Sequence, residues 1–198
     1  SIRMRACSLG CPDVARMAYI LSELFRYSLK RGLIVRVDEE VEMCRMYFQL
    51  SQLRYPDRLT LNLAVDEGAE GLGVPRHVLQ PNVENALKHG VDLSRPGNRV
   101  DIGIRREADE LLLRVEDDGR GMEEDRLAHL REDLRDETLP EARKIGLRNV
   151  HLRIARLFGP DYGLTVDSRA GQGTAVCIRL PALPQKEMSE LVQRLTGR

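Results

Sequence analysis

The stretch Leu79-Gln80-Pro81-Asn82-Val83-Glu84-Asn85-Ala86-Leu87-Lys88-His89-Gly90 decides the reading of the chain. Wound as a helix, it puts Val83, Ala86, Leu87 and Gly90 on one side, where they can pack on a sheet. Asn85, Lys88 and His89 fall on the other side, three to four residues apart, and point the same way. An amide, an ammonium and an imidazole on one face suit a hydrated Mg²⁺ and phosphate oxygens, because Mg²⁺ takes hard oxygen ligands and few of them from protein. A solvated polar face is the plain alternative.

Downstream, Val115-Glu116-Asp117-Asp118-Gly119-Arg120-Gly121-Met122 carries the second signal. Leu111, Leu113 and Val115 alternate, and Asp117 continues their phase, so it faces the core if they do. An inward carboxylate needs a donor, and the exocyclic amino group of adenine is one. Gly119 and Gly121 allow close backbone approach to a ligand; an Asp-Asp-Gly turn is the other reading. Next comes Ile145-Gly146-Leu147-Arg148-Asn149-Val150, a glycine at a helix start, where backbone N–H groups and the helix dipole suit phosphate; it can also be an ordinary helix start. Last is Gly171-Gln172-Gly173-Thr174, which also fits a plain hairpin turn.

Around these pieces the periodicity predicts the scaffold. Asp13 to Arg31 carries Val14, Met17, Leu21, Leu24, Phe25 and Ser28 at helical spacing, with Arg31-Gly32 as its end. Asp38 to Leu53 repeats the pattern through Val41, Cys44 and Phe48. Strands are expected at Leu59–Asp66, Arg99–Arg105, Glu110–Asp117, Leu164–Ser168 and Thr174–Leu180. Helices are expected from Val74-Pro75 to His89-Gly90, from Gly146 to Phe158, and as a short polar helix after Pro184. Glu123 to Lys144 is mostly charged, with a sparse stripe of Leu127, Leu130 and Leu134, and reads as a mobile lid outside the core.

Bulk properties bound the rest. With 198 residues, 42% hydrophobic and 31% charged, the chain can build a real core. Lys+Arg and Asp+Glu both total 31, so the formal net charge is zero and nothing steers the protein toward nucleic acid. No apolar run approaches the roughly 18–20 residues of a spanning helix, and Ser1 to Arg5 do not read as a signal peptide. The four cysteines, Cys7, Cys11, Cys44 and Cys177, lack CxxC spacing and read as reduced thiols, although a Cys7–Cys11 disulfide is conceivable. His77, His89, His129 and His151 show no zinc-ligand spacing.

In their order along the chain, the four pieces resemble the N box and the three glycine boxes of the histidine-kinase-type ATPase fold, shared with gyrase, Hsp90 and MutL. The run LQPNVENALKHG is similar to the LQPLVENAIKHG of LytS/YesM-like sensor kinases. LSELFRYSLKRG, YFQLSQLRYPDRL and IGLRNVHLRI extend the likeness from Ser1 to about Leu183. The resemblance implies an α+β, Bergerat-type fold: a two-layer α/β sandwich with a mixed sheet and helices on one face, preceded by a helical hairpin. Residues 1–56 would be the remnant of the dimerisation and phosphoacceptor region, 57–183 the ATP-binding domain, and 184–198 a tail helix. ATP and Mg²⁺ are the implied cofactors, a response regulator and a second copy of the chain the implied protein partners.

By the same resemblance, Asp117 holds adenine, with apolar contact from Met122 and Leu147, and Asn85 ligates Mg²⁺. Lys88, His89, Gly146 and Arg148 lie near the phosphates. Ile145, Gly119, Gly121, Gly171, Gly173 and Thr174 belong to the glycine boxes. Glu84 is a candidate water- or base-orienting group, with capping of a neighbouring element as its other reading. In the family the phosphoacceptor histidine stands in an NPHF-type motif ahead of an NSIRM-like segment; the chain opens on Ser1-Ile2-Arg3-Met4. The expectation is a cytoplasmic part of a membrane-anchored kinase that binds MgATP without labelling itself. Two positions depart from the family. Lys144 stands where glycine is frequent, and Asn82, expected to be exposed, where an apolar residue is usual. A non-catalytic dimeric scaffold and another ATPase of the same fold are the alternatives. Against the latter, Pro81 occupies the place, one turn before Asn85, where such ATPases carry a carboxylate.

Overall fold

The structure is a computed structural model and describes residues 1–92, 94, 96–136 and 146–197. Helices α1 (Ile2–Ser8) and α2 (Pro12–Ser28) lead into a three-residue strand, β1 (Ile34–Arg36), and helix α3 (Val37–Arg54). Strand β2 (Leu59–Val65) and the short β3 (Gly73–Pro75) precede helix α4 (Gln80–Asn85), which widens into a π-helical turn over Ala86–Gly90. Then come β4 (Asn98–Glu107), β5 (Glu110–Asp117), α5 (Glu124–Arg135), α6 (Gly146–Phe158), β6 (Gly163–Arg169), β7 (Gly173–Pro181) and α7 (Gln185–Thr196).

Five strands form one mixed sheet in the order β2-β4-β5-β7-β6, with β2 and β4 parallel and the other pairs antiparallel. Alternation dictates its two faces. Val100, Ile102 and Ile104 of β4 and Leu111, Leu113 and Val115 of β5 are all at most 2% exposed, and they meet the helices. The residues between them carry ion pairs such as Arg99–Asp101 and Arg114–Glu116 on the other face. One apolar core runs from Val41, Cys44 and Phe48 of α3 through the sheet to Val150 and Ile154 of α6. The fold is therefore the expected two-layer α+β sandwich.

Several local expectations change. The predicted helix from Val74-Pro75 starts instead at Gln80, with Pro81 in its first turn. Gly73–Pro75 is extended and pairs with Ile34–Arg36, and His77 takes a left-handed φ of 59°, which breaks any helix there. Helix α2 ends at Ser28 rather than Arg31. Its buried residues are Ala15, Ile20 and Tyr27, whereas Val14, Leu21 and Phe25 of the apolar stripe face outward. Helix α7 is not only polar: Met188 and Val192 pack with Ile34 in a second apolar cluster.

The largest correction concerns the charged excursion. Residues Glu124–Arg135 form a helix whose Leu127 and Leu134 are 2% and 3% exposed and belong to the main core. The apolar stripe was sparse because one side of α5 is enough to dock it. Residues 137–144 of the expected lid lie outside the described residues, as does Lys144. Leu134→Ala should therefore destabilise the protein by about 2–5 kcal/mol, as truncations of buried leucines do. Urea denaturation checks this, and a cost below about 1 kcal/mol would mark α5 as detached from the core.

Candidate functional site

Six segments converge on a cavity of about 490 Å³, a volume that accommodates a nucleotide-sized ligand. The α4 helix and its π turn supply Asn82, Asn85, Ala86, His89 and Gly90; the end of β5 supplies Val115 and Asp117. Gly121 and Met122 follow in the next loop, Gly146 and Leu147 open α6, and Thr174 and Val176 come from β7. Helix α5 closes one side with Arg126, His129, Leu130 and Asp133.

Asp117 sits where the strand phase put it, facing inward and 5% exposed, while its neighbour Asp118 turns outward to accept the Arg99 N–H at 2.8 Å. Burial pushes the Asp117 carboxyl up from 3.8 to about 6; N–H groups of Gly119 and Thr174 pull against that rise. The Gly119 N–H donates to Oδ1 at 3.0 Å. A carboxylate held in this way at a cavity wall keeps acceptor capacity for a ligand donor.

The glycines serve chain packing first. A Cβ on Gly119 would lie 1.9 Å from the Gly90 carbonyl oxygen, and one on Gly173 would lie 1.9 Å from the Asp117 carbonyl oxygen. Gly90, Gly119 and Gly173 thus let three backbones meet around Asp117. Gly171 stands outside the cavity lining, where its N–H donates to the Arg120 carbonyl at 2.7 Å. Ser168 Oγ, accepting from the Met122 N–H at 2.9 Å, ties the same loop to β6.

The structure separates the polar residues of the opening stretch. The i→i+5 bond from the Val91 N–H to the Ala86 carbonyl widens the turn, which lines up positions four and five apart instead of three. Asn85 and His89 therefore share the cavity, whereas Lys88 is turned away from it. Lys88 Nζ donates to Glu84 Oε2 at 2.9 Å, which raises its pKa, and Glu84 Oε1 accepts from Gln80 Nε2 at 3.0 Å. Glu84 thus bonds to both Lys88 and Gln80, and neither Glu84 nor Lys88 lines the cavity. Arg148 also points away: it is 5% exposed and donates from Nε and Nη2 to the Asp136 carbonyl at 3.1 and 2.5 Å, tying α6 to the end of α5. Ile145 lies outside the described residues.

Asn82 corrects another expectation. It is 1% exposed, not on the surface, and its Nδ2 donates to the Val78 carbonyl at 2.7 Å. Its Oδ1, like Asn85 Nδ2, is buried without a protein partner. Native proteins rarely leave such atoms unsatisfied, so Asn82 and Asn85 carry spare hydrogen-bonding capacity beside the cavity. Arg126, His129 and Asp133 were not among the expected site residues, and Leu130 was read only as part of the apolar stripe. Their three-and-four spacing beside the Leu127–Leu134 stripe was the available signal.

Known proteins bear on this geometry. Residues 73–184 match the family of histidine kinase-, DNA gyrase B- and HSP90-like ATPases, and residues 1–59 match the histidine kinase family. Sensor histidine kinase BtsS of Escherichia coli K12 is 32% identical over 170 residues, which are 85% of this chain and 28% of that protein. Sensor protein kinase HptS of Staphylococcus aureus is 29% identical over 162 residues, 81% of this chain and 31% of that protein. The chain thus spans under a third of these relatives' length. In fold it is like the histidine kinase domain of the blue-light activated kinase of Erythrobacter litoralis, at 20% identity, a TM-score of 0.54 and coverage of 96% of this chain and 83% of that one. The catalytic domain of histidine kinase ThkA gives a TM-score of 0.56 at 10% identity, over 78% of this chain and all of that one. The chain belongs to the histidine kinase-, DNA gyrase B- and HSP90-like ATPase family and carries the ATP-binding domain of histidine kinases.

Proposed function

We propose that this chain binds ATP with Mg²⁺ in the cavity between α4, α5 and α6 and serves the transfer of the γ-phosphoryl group to a histidine, and from there to a response regulator. The observation that carries the reading is Asp117: a buried carboxyl facing a cavity of about 490 Å³, with backbone donors on one side and room for a ligand on the other. The adenine amino group is the donor it would accept from, with Met122 and Leu147 against the ring. Asn85 and Gly146 stand further along the cavity wall, on the side assigned to the phosphates.

The residues present fit Mg²⁺. Asn85 lines the cavity and its side-chain oxygen is a hard ligand, and no cluster of three His, Cys, Asp or Glu forms among the described residues. That suits an ion that takes one or two protein ligands and the rest from phosphate and water. Bound there, Mg²⁺ neutralises charge on the transferring phosphoryl group. The chain's own residues orient the nucleotide: Asp117 at the base, Asn85 and His89 toward the phosphates. Glu84 and Lys88 are left out of the binding set because they are occupied with each other.

Outside the site, Ile2, Met4, Val14, Leu21 and Phe25 leave an apolar surface along α1 and α2 that is between 46% and 75% exposed. A second copy of the chain would cover it in a helical bundle. Among the described residues no helix is long and apolar enough to cross a membrane; a membrane anchor, as in the implied full-length sensor, would belong to another part of the protein.

Asn85→Ala tests the reading. Because Asn85 Nδ2 bonds to no protein group, truncation strands no partner, and stability should change by less than about 1 kcal/mol. Calorimetric titration should show the Mg²⁺-dependent part of ATP binding gone. A variant that melts far lower yet binds MgATP normally would make Asn85 structural. A second outcome follows from the histidines, none of which stands in an NPHF-type motif. ATP labelled at the γ-phosphate should leave no acid-labile label on the 198 residues alone, and label on His77, His89, His129 or His151 would contradict this.

A further inference from the structure

Glu40 is 1% exposed, far from the surface where carboxylates normally sit. It lies in the first turns of α3, yet its partners are not on α3. Oε1 accepts from the Tyr27 hydroxyl of α2 and from the His77 N–H at 2.6 Å. Oε2 accepts from the N–H groups of Val78 and Leu79 at 3.1 and 3.2 Å. These three consecutive amides lead directly into α4. Around them, Arg76 donates to the carbonyls of Tyr27, Lys30 and Gly32 at the end of α2. Arg153 of α6 reaches the His77 carbonyl at 3.4 Å.

Burying a carboxylate is costly, and an apolar side chain would fill the space more cheaply. What the charge adds is a fixed point. Helix α4 has six residues before its π turn, too few to hold a direction by its own hydrogen bonds. Its orientation is set at its entry, and Asn82 and Asn85 ride on it. Resting on the nucleotide reading above, we infer that Glu40 is a positioning residue for the phosphate half of the site, locking the entry of α4, with Tyr27 extending the lock to α2. It touches no ligand and acts through the backbone of residues 77–79. The adenine half stands on Asp117, Met122 and Leu147, none of which, among the described residues, hydrogen-bonds to Glu40 or to residues 77–79.

The test uses Glu40→Gln and Tyr27→Phe in the whole chain. Gln keeps the shape but turns an amide group toward backbone donors; Phe removes one hydroxyl and is the milder change. Each variant is titrated below its melting temperature with MgATP and, separately, with ADP in EDTA, which engages the adenine half without metal. The expected result is MgATP affinity weakened about tenfold by Glu40→Gln and about threefold by Tyr27→Phe, with ADP affinity within about twofold of the parent in both, the scale of lost hydrogen bonds to a charged group. Lower melting temperatures with both affinities unchanged would overturn the inference, making Glu40 a structural anchor only. Equal weakening of both ligands would also overturn it, by showing that Glu40 supports the whole domain. Should Glu40→Gln fail to fold, Tyr27→Phe decides by the same ratio. A parent protein that binds neither ligand overturns the nucleotide reading itself and this inference with it.

Discussion

Asp117→Asn is expected to weaken ATP binding by roughly ten- to a hundredfold while making the protein more stable at neutral pH. The first effect is the loss of an acceptor for the adenine amino group, worth about 1.5–3 kcal/mol for a charged partner. The second follows from the direction of the pKa change. Burial raises the carboxyl from 3.8 to about 6 in the folded protein, so between those values the folded state binds more protons than the unfolded one. Stability therefore falls as pH rises from about 4 to about 6 and stays low above that. A rise of this size corresponds to roughly 3 kcal/mol, part of which the variant keeps losing because an amide group faces a backbone donor. Melting curves from pH 4.5 to 8 should show the stability difference moving in the variant's favour up to about pH 6, then levelling. A difference independent of pH would mean that the carboxyl is not desolvated.

Gly173→Ala should be among the most damaging single changes near the site. Gly173 has a φ of 88°, and an added Cβ would lie 1.9 Å from the Asp117 carbonyl oxygen, 2.8 Å from its carbon and 3.1 Å from Asp118 Cα. All three are backbone atoms at the paired end of β5, so none can swing aside as a side chain could. Strain and overlap together should exceed about 4 kcal/mol, a size reserved for a few mechanisms of this type. Gly171→Ala is the control: its φ is 74°, but nothing lies within 4 Å of the added Cβ. It should cost only the conformational term, about 1–2 kcal/mol. Urea midpoints of the two variants give the comparison, and equal losses would contradict the interlocked backbones around Asp117.

The same contrast explains what was legible in the sequence. Strands β4 to β7 and helix α6 announced themselves because each has one buried face long enough to show its period. The inward phase of Asp117 followed from Leu111, Leu113 and Val115 alone. Strands β1 and β3 are three residues each, too short for any period, and their pairing is what moved the start of α4 from Pro75 to Gln80. The π turn after Asn85 was invisible to an argument that assumes 3.6 residues per turn, and it separated Lys88 from Asn85 and His89. Helix α5 was misjudged because charge density hid two buried leucines. Glu40 could not be read at all: its backbone partners lie 37 to 39 residues away along the chain and Tyr27 lies 13 away, and no local pattern reports a long-range cap.

The most direct measurement is a crystal structure of the protein with Mg²⁺ and a non-hydrolysable ATP analogue. The account predicts the adenine amino group within hydrogen-bonding distance of Asp117, the ring between Met122 and Leu147, and the metal on the side-chain oxygen of Asn85. A nucleotide bound elsewhere on the molecule, or a cavity that stays empty at saturating analogue, would contradict it.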